Sequence, residues 1–280
     1  MRRPTMAGDR LSWRAALAKL PIRAAAMKVR NSSSSAIRYL CAIMFAPDKQ
    51  FSLELARRIL WSSHSTRRRI PMTTIAIIGL GNMGKGLAKR LAGRSSLVLA
   101  SRDKAAATAF AATLPAGVTV LDQDAAITKA DIVVLALPYA AALDAAANPA
   151  LAGKVVLDIS NPVKADFSGL TIGHTTSAAE ELQAAAPGAK VVKAFNTIFA
   201  SLFDLPATQT AAIPVFVAGN DEAAIAAVAE VVTLAGFAAE QTGSLDAARL
   251  LEPLGMLNIR FGYGLGHGTG IAPAWTKLAA

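Results

Sequence analysis

An apolar run, Thr73 to Ile78, passes straight into Gly79-Leu80-Gly81-Asn82-Met83-Gly84 and then into a helically periodic stretch, Asn82 to Leu91. A G-x-G-x-x-G pattern gains structural meaning only in this order of strand, turn and helix. Each glycine then has a separate task. Gly79 permits the tight turn, Gly81 lets the backbone approach a pyrophosphate, and Gly84 lets helix and strand pack closely. Unpaired N–H groups at the helix start, reinforced by its dipole, favour negative charge there. The pattern implies a nicotinamide dinucleotide site on a parallel α/β sheet.

The chain has 280 residues, 53% of them hydrophobic, enough for one large domain or two smaller ones. Its net charge of +10 invites a nucleic-acid reading, but the distribution opposes it. Of the 29 Lys/Arg and 19 Asp/Glu, 15 and 3 precede Met72, which leaves 14 and 16 for the remainder. The excess therefore belongs to residues 1–71, and the rest is slightly acidic, unlike a polyanion binder. Those first residues are rich in Arg and Ser, as in Asn31-Ser32-Ser33-Ser34-Ser35 and Arg67-Arg68-Arg69. Three readings fit them: a targeting peptide, a disordered basic extension, or an over-extended start with native translation beginning at Met72. The last is favoured, because Met72-Thr73-Thr74-Ile75 opens the first strand directly. The longest apolar run there, Tyr39 to Ala46, is too short to span a bilayer, so no stable membrane insertion is expected. Cys41 is the only cysteine, and His64, His174 and His267 lack ligand spacing. No disulfide, thiolate nucleophile or metal site is expected beyond Met72, and a reducing cytoplasmic setting fits.

Further strands are expected near Leu97–Ala100, Val118–Leu121, Ile132–Ala136, Val155–Ile159, Val191–Phe195, Pro214–Ala218 and Gly236–Glu240. Helices are expected near Lys104–Leu114, Ala141–Ala147, Ala178–Ala185, Asp221–Leu234 and Leu245–Phe261. Several strands lack period-two alternation, as when helices cover both sheet faces. The fold class is α/β: a Rossmann-type doubly wound, mostly parallel sheet with a small C-terminal helical part. Gly93 and Gly236 suit helix C-termini, Ser177 with Glu180 reads as a capping box, and Asn220 is placed to cap the helix after it.

About twenty residues past the glycine turn, an NAD site carries an acid for the ribose 2′-hydroxyl. Here the chain reads Ala100-Ser101-Arg102-Asp103-Lys104. Arg102 offers a planar fork for a phosphate, Ser101 a hydroxyl and Lys104 a further charge, so NADP(H) is the expected cofactor. Later strand ends line the nicotinamide half: Leu137-Pro138-Tyr139, Ser160-Asn161-Pro162 and Asn196-Thr197. No Ser–His–Asp order, paired catalytic carboxylates or lysine in an obvious active-site motif stands out. Hydride transfer between two redox rings requires alignment of two carbons more than an acid or base, so this absence fits it.

Gly79–Gly84 followed by Lys85-Gly86-Leu87-Ala88, Ser101-Arg102, Asn161-Pro162, Ser177–Glu180, Val192 to Thr197 and the tail from Arg249 to Gly270 together resemble the NADPH-dependent F420 reductases. The resemblance runs from about Met72 to the C-terminus and reaches, in its bacterial branch, Leu251-Glu252-Pro253-Leu254-Gly255-Met256. It implies that Gly79, Gly81, Asn82, Met83, Ser101 and Arg102 hold NADPH, with the segment around Met256 to Gly264 close to the second ring. Together with the residues read above, the expected cofactor-binding set is Gly79, Leu80, Gly81, Asn82, Met83, Gly84, Ser101, Arg102, Lys104, Leu137, Pro138, Tyr139, Asn161, Ala194 and Met256. It also implies that Asn196 and Thr197 stand at the reacting rings. Archaeal members carry a histidine where this chain has Asn196, which leaves the second redox partner open among F420, FMN, FAD or another small acceptor. The implied organisation is a basic extension over 1–71, an NADP-binding domain over 72–198, and a C-terminal part over 199–280 forming the second pocket and a homodimer contact.

Leu250, Leu254, Leu257 and Phe261 recur at helical spacing, and such a stripe is expected in the core. Pro253 is expected to kink that helix or begin a new one, and Gly262 to Gly268 to form a mobile loop. Two other functions compete. A reductase of small hydroxyacids or imino acids shares the glycine turn but carries a long helical second domain, and few residues follow the last strand here. A non-catalytic NADPH-sensing module is the other.

Overall fold

The computed structural model describes residues 73–276 and 278; the readings made for residues 1–71 lie outside them. Eight strands form one sheet in the order β3-β2-β1-β4-β5-β6-β7-β8. These are β1 (Thr74–Ile78), β2 (Ser96–Ala100), β3 (Val118–Val120), β4 (Ile132–Leu135), β5 (Val155–Asp158), β6 (Lys190–Lys193), β7 (Pro214–Gly219) and β8 (Ala238–Gln241). The first six are parallel. β7 pairs antiparallel to β6 through Val192 and Gly219, and β8 runs parallel to β7.

The sheet is buried on both faces, which explains its continuous apolar strands. On β1, Ile75 and Ile77 project to one face, while Ala76 and Ile78 project to the other. The first face is covered chiefly by α1 (Asn82–Leu91) and α7 (Glu222–Leu234). From α1 come Leu87, Ala88 and Leu91, all fully buried; each leucine contributes roughly 1.5–3 kcal/mol of burial. The second face is covered by α3 (Gln123–Lys129), α4 (Tyr139–Ala146) and α5 (Ala178–Ala185). Helix α2 (Lys104–Ala111) follows β2, the short α6 (Ala207–Thr210) precedes β7, and α8 (Ala248–Ile259) follows β8.

Several expectations are corrected. Helix α3 is absent from the expected elements, because its buried pair, Ala126 and Ile127, gives no repeat to read. Asp221, not Asn220, caps α7 by accepting from the Ala224 N–H; Asn220 Oδ1 instead accepts from Leu245 N. Ser177 caps α5, but Glu180 meets the serine hydroxyl and Arg249 rather than reaching back to the Ser177 amide. Pro253 sits inside α8 without ending it. The helix then widens into a π turn over Arg260–Gly264, so the anticipated loop begins later.

The predicted core stripe of α8 is also overturned. Leu250 is 74%, Leu257 48% and Phe261 40% exposed, whereas Leu251, Glu252, Gly255 and Asn258 face inward. Polar residues lie inward because they meet polar strand ends, so hydrophobicity alone points to the wrong face. Among the described residues, no helix is long and apolar enough to cross a membrane.

Candidate functional site

At the glycine turn, Gly79 adopts φ +99° and donates its N–H to Ala100 O at 2.9 Å. A Cβ at Gly84 would stand 2.0 Å from Gly79 O, and one at Gly79 would stand 2.4 Å from Ala136 O. These two positions admit only glycine. Gly81, the N-terminal cap of α1, is different: a Cβ there would meet nothing within 4 Å. Its smallness is unused by the protein itself, which fits a backbone left open to a diphosphate. Leu80 and Met83 pack against the core, and Asn82 lies exposed at the helix start. Asn82, Lys85 and Lys89 line a groove of about 330 Å³ with Phe199, Ser201 and Tyr263.

The chain leaves β2 through half-buried Ser101 and exposed Arg102. Asp103 is spent as the cap of α2, accepting from Ala106 N at 2.8 Å. Lys104 pairs with Asp122 at 2.9 Å on the surface, so it is less available than the sequence suggested. Among the described residues Arg102 forms no ion pair, which leaves its guanidinium open to an anion.

The other strand ends converge on α8. Leu137 touches the position of Gly79, Pro138 caps α4, and Tyr139 donates its hydroxyl to Glu181. Burial, then that carboxylate, pushes the phenol up to about 12. Asn161 and Asn196 clasp one another: Asn161 Nδ2 donates to Asn196 O at 2.7 Å, and Asn196 Nδ2 donates to Asn161 Oδ1 at 3.0 Å. Helix α8 reads this pair closely. Its Leu251 O accepts from Asn196 Nδ2 at 2.8 Å, and Asn258 Nδ2 donates to Thr197 O at 3.0 Å. A Cβ on Gly255 would stand 2.7 Å from Asn196 O. Ala194 is wholly buried, with its N–H on Asp158 O.

Phe195, just before Asn196, holds φ +61°, a left-handed conformation that costs a bulky residue about 1–3 kcal/mol. Its ring is locked in the core against Phe203 and Phe237, and this packing sustains the bend that presents Asn196 and Thr197. Among the described residues, three buried polar atoms here find no hydrogen-bond partner: Ser160 Oγ, Asn196 Oδ1 and Thr197 Oγ1. Buried polar groups are ordinarily bonded. Three such atoms clustered on adjoining strand ends fit a ligand with hydrogen-bonding groups, such as a nicotinamide carboxamide.

Beneath them lies a group that sequence reasoning missed. Lys193 is wholly buried and directs Nζ to Asp158 Oδ2 at 2.8 Å, Glu252 Oε1 at 2.8 Å and Ser160 O at 2.7 Å. Burial opposes the ammonium, but the two carboxylates overcome it and hold the lysine above its ordinary value. Glu252 also accepts from Ala178 N at 3.0 Å and Ala179 N at 3.3 Å. A lysine directly after the apolar pair Val191–Val192, beside the exit of the strand, was the available signal, because such a charge is buried only when paired.

Beyond Gly255, Met256, Ile259, Arg260 and Tyr263 follow at helical spacing and wall a cleft of about 680 Å³. Phe167 and Ser168, from the loop after β5, form its other side.

This architecture has relatives. Residues 74–162 match the family model described as NADP oxidoreductase, coenzyme F420-dependent. An F420-dependent NADP reductase from Methanocaldococcus jannaschii is 31% identical over 219 residues, covering 70% of this chain and 96% of that protein. The chain belongs to this F420-dependent NADP oxidoreductase family. A crystal structure from Arthrobacter sp. FB24, of a candidate F420-dependent NADP-reductase, superposes with TM-score 0.61 at 34% identity, covering 70% of this chain and 96% of that one. The metalloreductase STEAP3 of Rattus norvegicus is 30% identical over 206 residues, and the chain spans 40% of its length. The protein is an NAD(P)-dependent oxidoreductase.

Proposed function

We propose that the protein transfers a hydride between NADPH and a planar redox ring, a deazaflavin such as F420 or a flavin such as FMN or FAD. The observation that carries this reading is the continuity of the site: the unpartnered Ser160, Asn196 and Thr197 groups lie on the strand ends whose Asn161–Asn196 clasp meets Gly255, and the residues after Gly255 wall a largely apolar cleft. Gly79 to Gly84 would hold the diphosphate, Ser101 and Arg102 the 2′-phosphate, and Asn161, Asn196 and Thr197 the nicotinamide end. NADPH supplies the hydride when bound; the protein's part is to bring two carbons into line and exclude water. Reduction of a ketone or imine also needs a proton donor. Here Lys193 spends its three N–H groups on Asp158, Glu252 and Ser160, and Tyr139 spends its hydroxyl on Glu181. Both are held protonated and engaged, so neither is placed to protonate a small hydroxyacid or imino acid.

The outward stripe of Leu250, Leu257 and Phe261 supports the homodimer implied by the resemblance, since a cluster of exposed large apolar side chains marks an interaction surface. A reductase of this kind acts in the cytoplasm on a small-molecule redox acceptor.

Calorimetry with NADPH and NADH, followed by stopped-flow absorbance with F420, FMN and FAD, tests the reading. Tight NADPH binding and rapid oxidation by one ring are expected. Tight binding without turnover by any ring indicates the sensing module, and turnover confined to keto or imino acids indicates the small-substrate reductase. Light scattering on L250K/L257K, expected to be monomeric, tests the dimer.

A further inference from the structure

Asp158 and Lys193 are register partners at the ends of β5 and β6, and Glu252 reaches them from α8. All three are fully buried. The triad carries one surplus negative charge, and the first two N–H groups of α5, with that helix's positive end, receive it through Glu252. Stability does not require such an arrangement, because well-packed apolar residues of similar volume often do as well or better than a buried ion cluster. What ions provide is direction. Asp158 Oδ1 accepts from Ser160 N at 2.8 Å while Lys193 Nζ donates to Ser160 O at 2.7 Å, so both backbone polar groups of Ser160 are fixed from below. The unpartnered Ser160 hydroxyl and the Asn161–Asn196 clasp sit directly on that fixed backbone. Through Glu252 the same ammonium also sets the height and rotation of α8. One turn later that helix meets the clasp at Gly255, and beyond it the helix walls the cleft.

We propose that the Asp158–Lys193–Glu252 triad is the positioning device of this enzyme, holding the nicotinamide-facing groups of β5 and β6 in register with the helix that walls the acceptor cleft. The role rests on the nicotinamide reading above. Lys193 is a positioning residue, since its ammonium is enclosed by protein oxygens and acts on the reacting groups only through Ser160 and Glu252. The phosphate end at Gly79–Gly84 and Arg102 shares none of these contacts, so affinity for NADPH and alignment of its ring are separable.

E252Q keeps the side chain's size, leaves Lys193 and Asp158 as a balanced pair, and removes the charge that fixes α8. In the full-length protein its NADPH dissociation constant, measured by calorimetry, is expected to match the wild type. Two other readouts are expected to move. The fluorescence lifetime of bound NADPH, which reports nicotinamide mobility without any acceptor, shortens. Turnover with the acceptor falls roughly 10²-fold, the scale on which a displacement of about 1 Å acts, while KM for NADPH stays constant. E252D, which keeps the charge on a shorter arm, should recover part of both. A lower melting temperature with lifetime and turnover unchanged makes the triad a plain tether and overturns the proposal. If E252Q does not accumulate as folded protein, E252D decides by the same two readouts. A wild type that binds NADPH yet reduces no ring sinks the hydride reading alone, because the lifetime comparison still stands or falls by itself.

Discussion

The two halves of the proposed cofactor crevice are built by different means. The phosphate half is built on one local turn, Gly79 to Gly84: the clash at Gly84 comes from Gly79 O within that turn, and the neighbouring strand adds Ala136 O from a distant part of the chain. The acceptor half is assembled at long range. Lys193 meets Glu252 across 59 residues, and Asn161 meets Asn196 across 35. A local turn tolerates much variation elsewhere in the chain. A clasp of distant segments places its precision in a few buried polar contacts, where the loss of one partner leaves others stranded.

This contrast predicts that the costliest single change lies in the acceptor half. K193M strands two carboxylates, Asp158 and Glu252, with no counter-ion, and breaking a buried ion cluster in this way costs about 3–5 kcal/mol. Urea denaturation should show the midpoint falling by a corresponding amount. A loss below about 1 kcal/mol, the range of exposed pairs, would place the cluster in contact with water. Next come two glycines, one from each half. G84A drives a methyl into Gly79 O, and G255A drives one into Asn196 O and Asn161 Nδ2. Overpacking of either costs about 1–3 kcal/mol, but the functional signatures should divide. G84A should abolish NADPH binding in calorimetry, whereas G255A should keep the binding and lose turnover. If both variants lost both properties, the two halves would be one cooperative unit and the comparison would fail.

The same division governs what could be read in advance. The turn, β1, α1 and the Ser101-Arg102 exit from β2 were legible because periodicity and glycine spacing are local signals. So were the strands of the sheet, to within a residue or two at most ends. The antiparallel direction of β7 was not, since pairing direction is a tertiary choice. The site's underside was hidden for the same reason. Lys193 directly follows the apolar pair Val191–Val192, and Glu252 lies in a helix that shows its leucines to solvent. Only the fold reveals that the ion pairs lie inward while Leu250 and Leu257 lie outward. Asn161, Asn196 and Thr197 are legible as residues that follow strands, yet their contacts with Leu251, Gly255 and Asn258 are set by the fold alone.

A smaller effect sharpens the phosphate half. Arg102 has no partner among the described residues, so R102A should leave the melting temperature unaltered. A hydrogen bond to a charged group is worth about 1.5–3 kcal/mol, or roughly 10- to 150-fold in affinity. NADPH binding should weaken on that scale while NADH binding stays level, as read by parallel titrations. An equal loss for both nucleotides would move the 2′-phosphate contact away from Arg102.

The smallest effect belongs to the rim of the acceptor half, where α8 meets α5 a second time. Arg249 holds Glu180 through Nε and Nη2, and side-chain exposures of 39% and 22% leave this pair partly in water. The hydrogen bonds from Arg249, then the Ser177 hydroxyl, outweigh burial and hold the Glu180 carboxyl below its usual range. A carboxylate with a depressed folded-state pKa contributes stability that is fully present above its unfolded value of 4.5 and fades as the pH falls through the folded value. Screening at this half-exposed site keeps the contribution near 0.2–1 kcal/mol. E180Q should therefore melt slightly below the wild type at pH 7, and the gap should close as both are taken below pH 4.5. A gap that persists into acid would show that the glutamate acts through its packing on Ser177 rather than its charge. Two contacts between the same pair of helices would then differ in kind as well as depth: an ionic one at Glu252 and a steric one at Glu180.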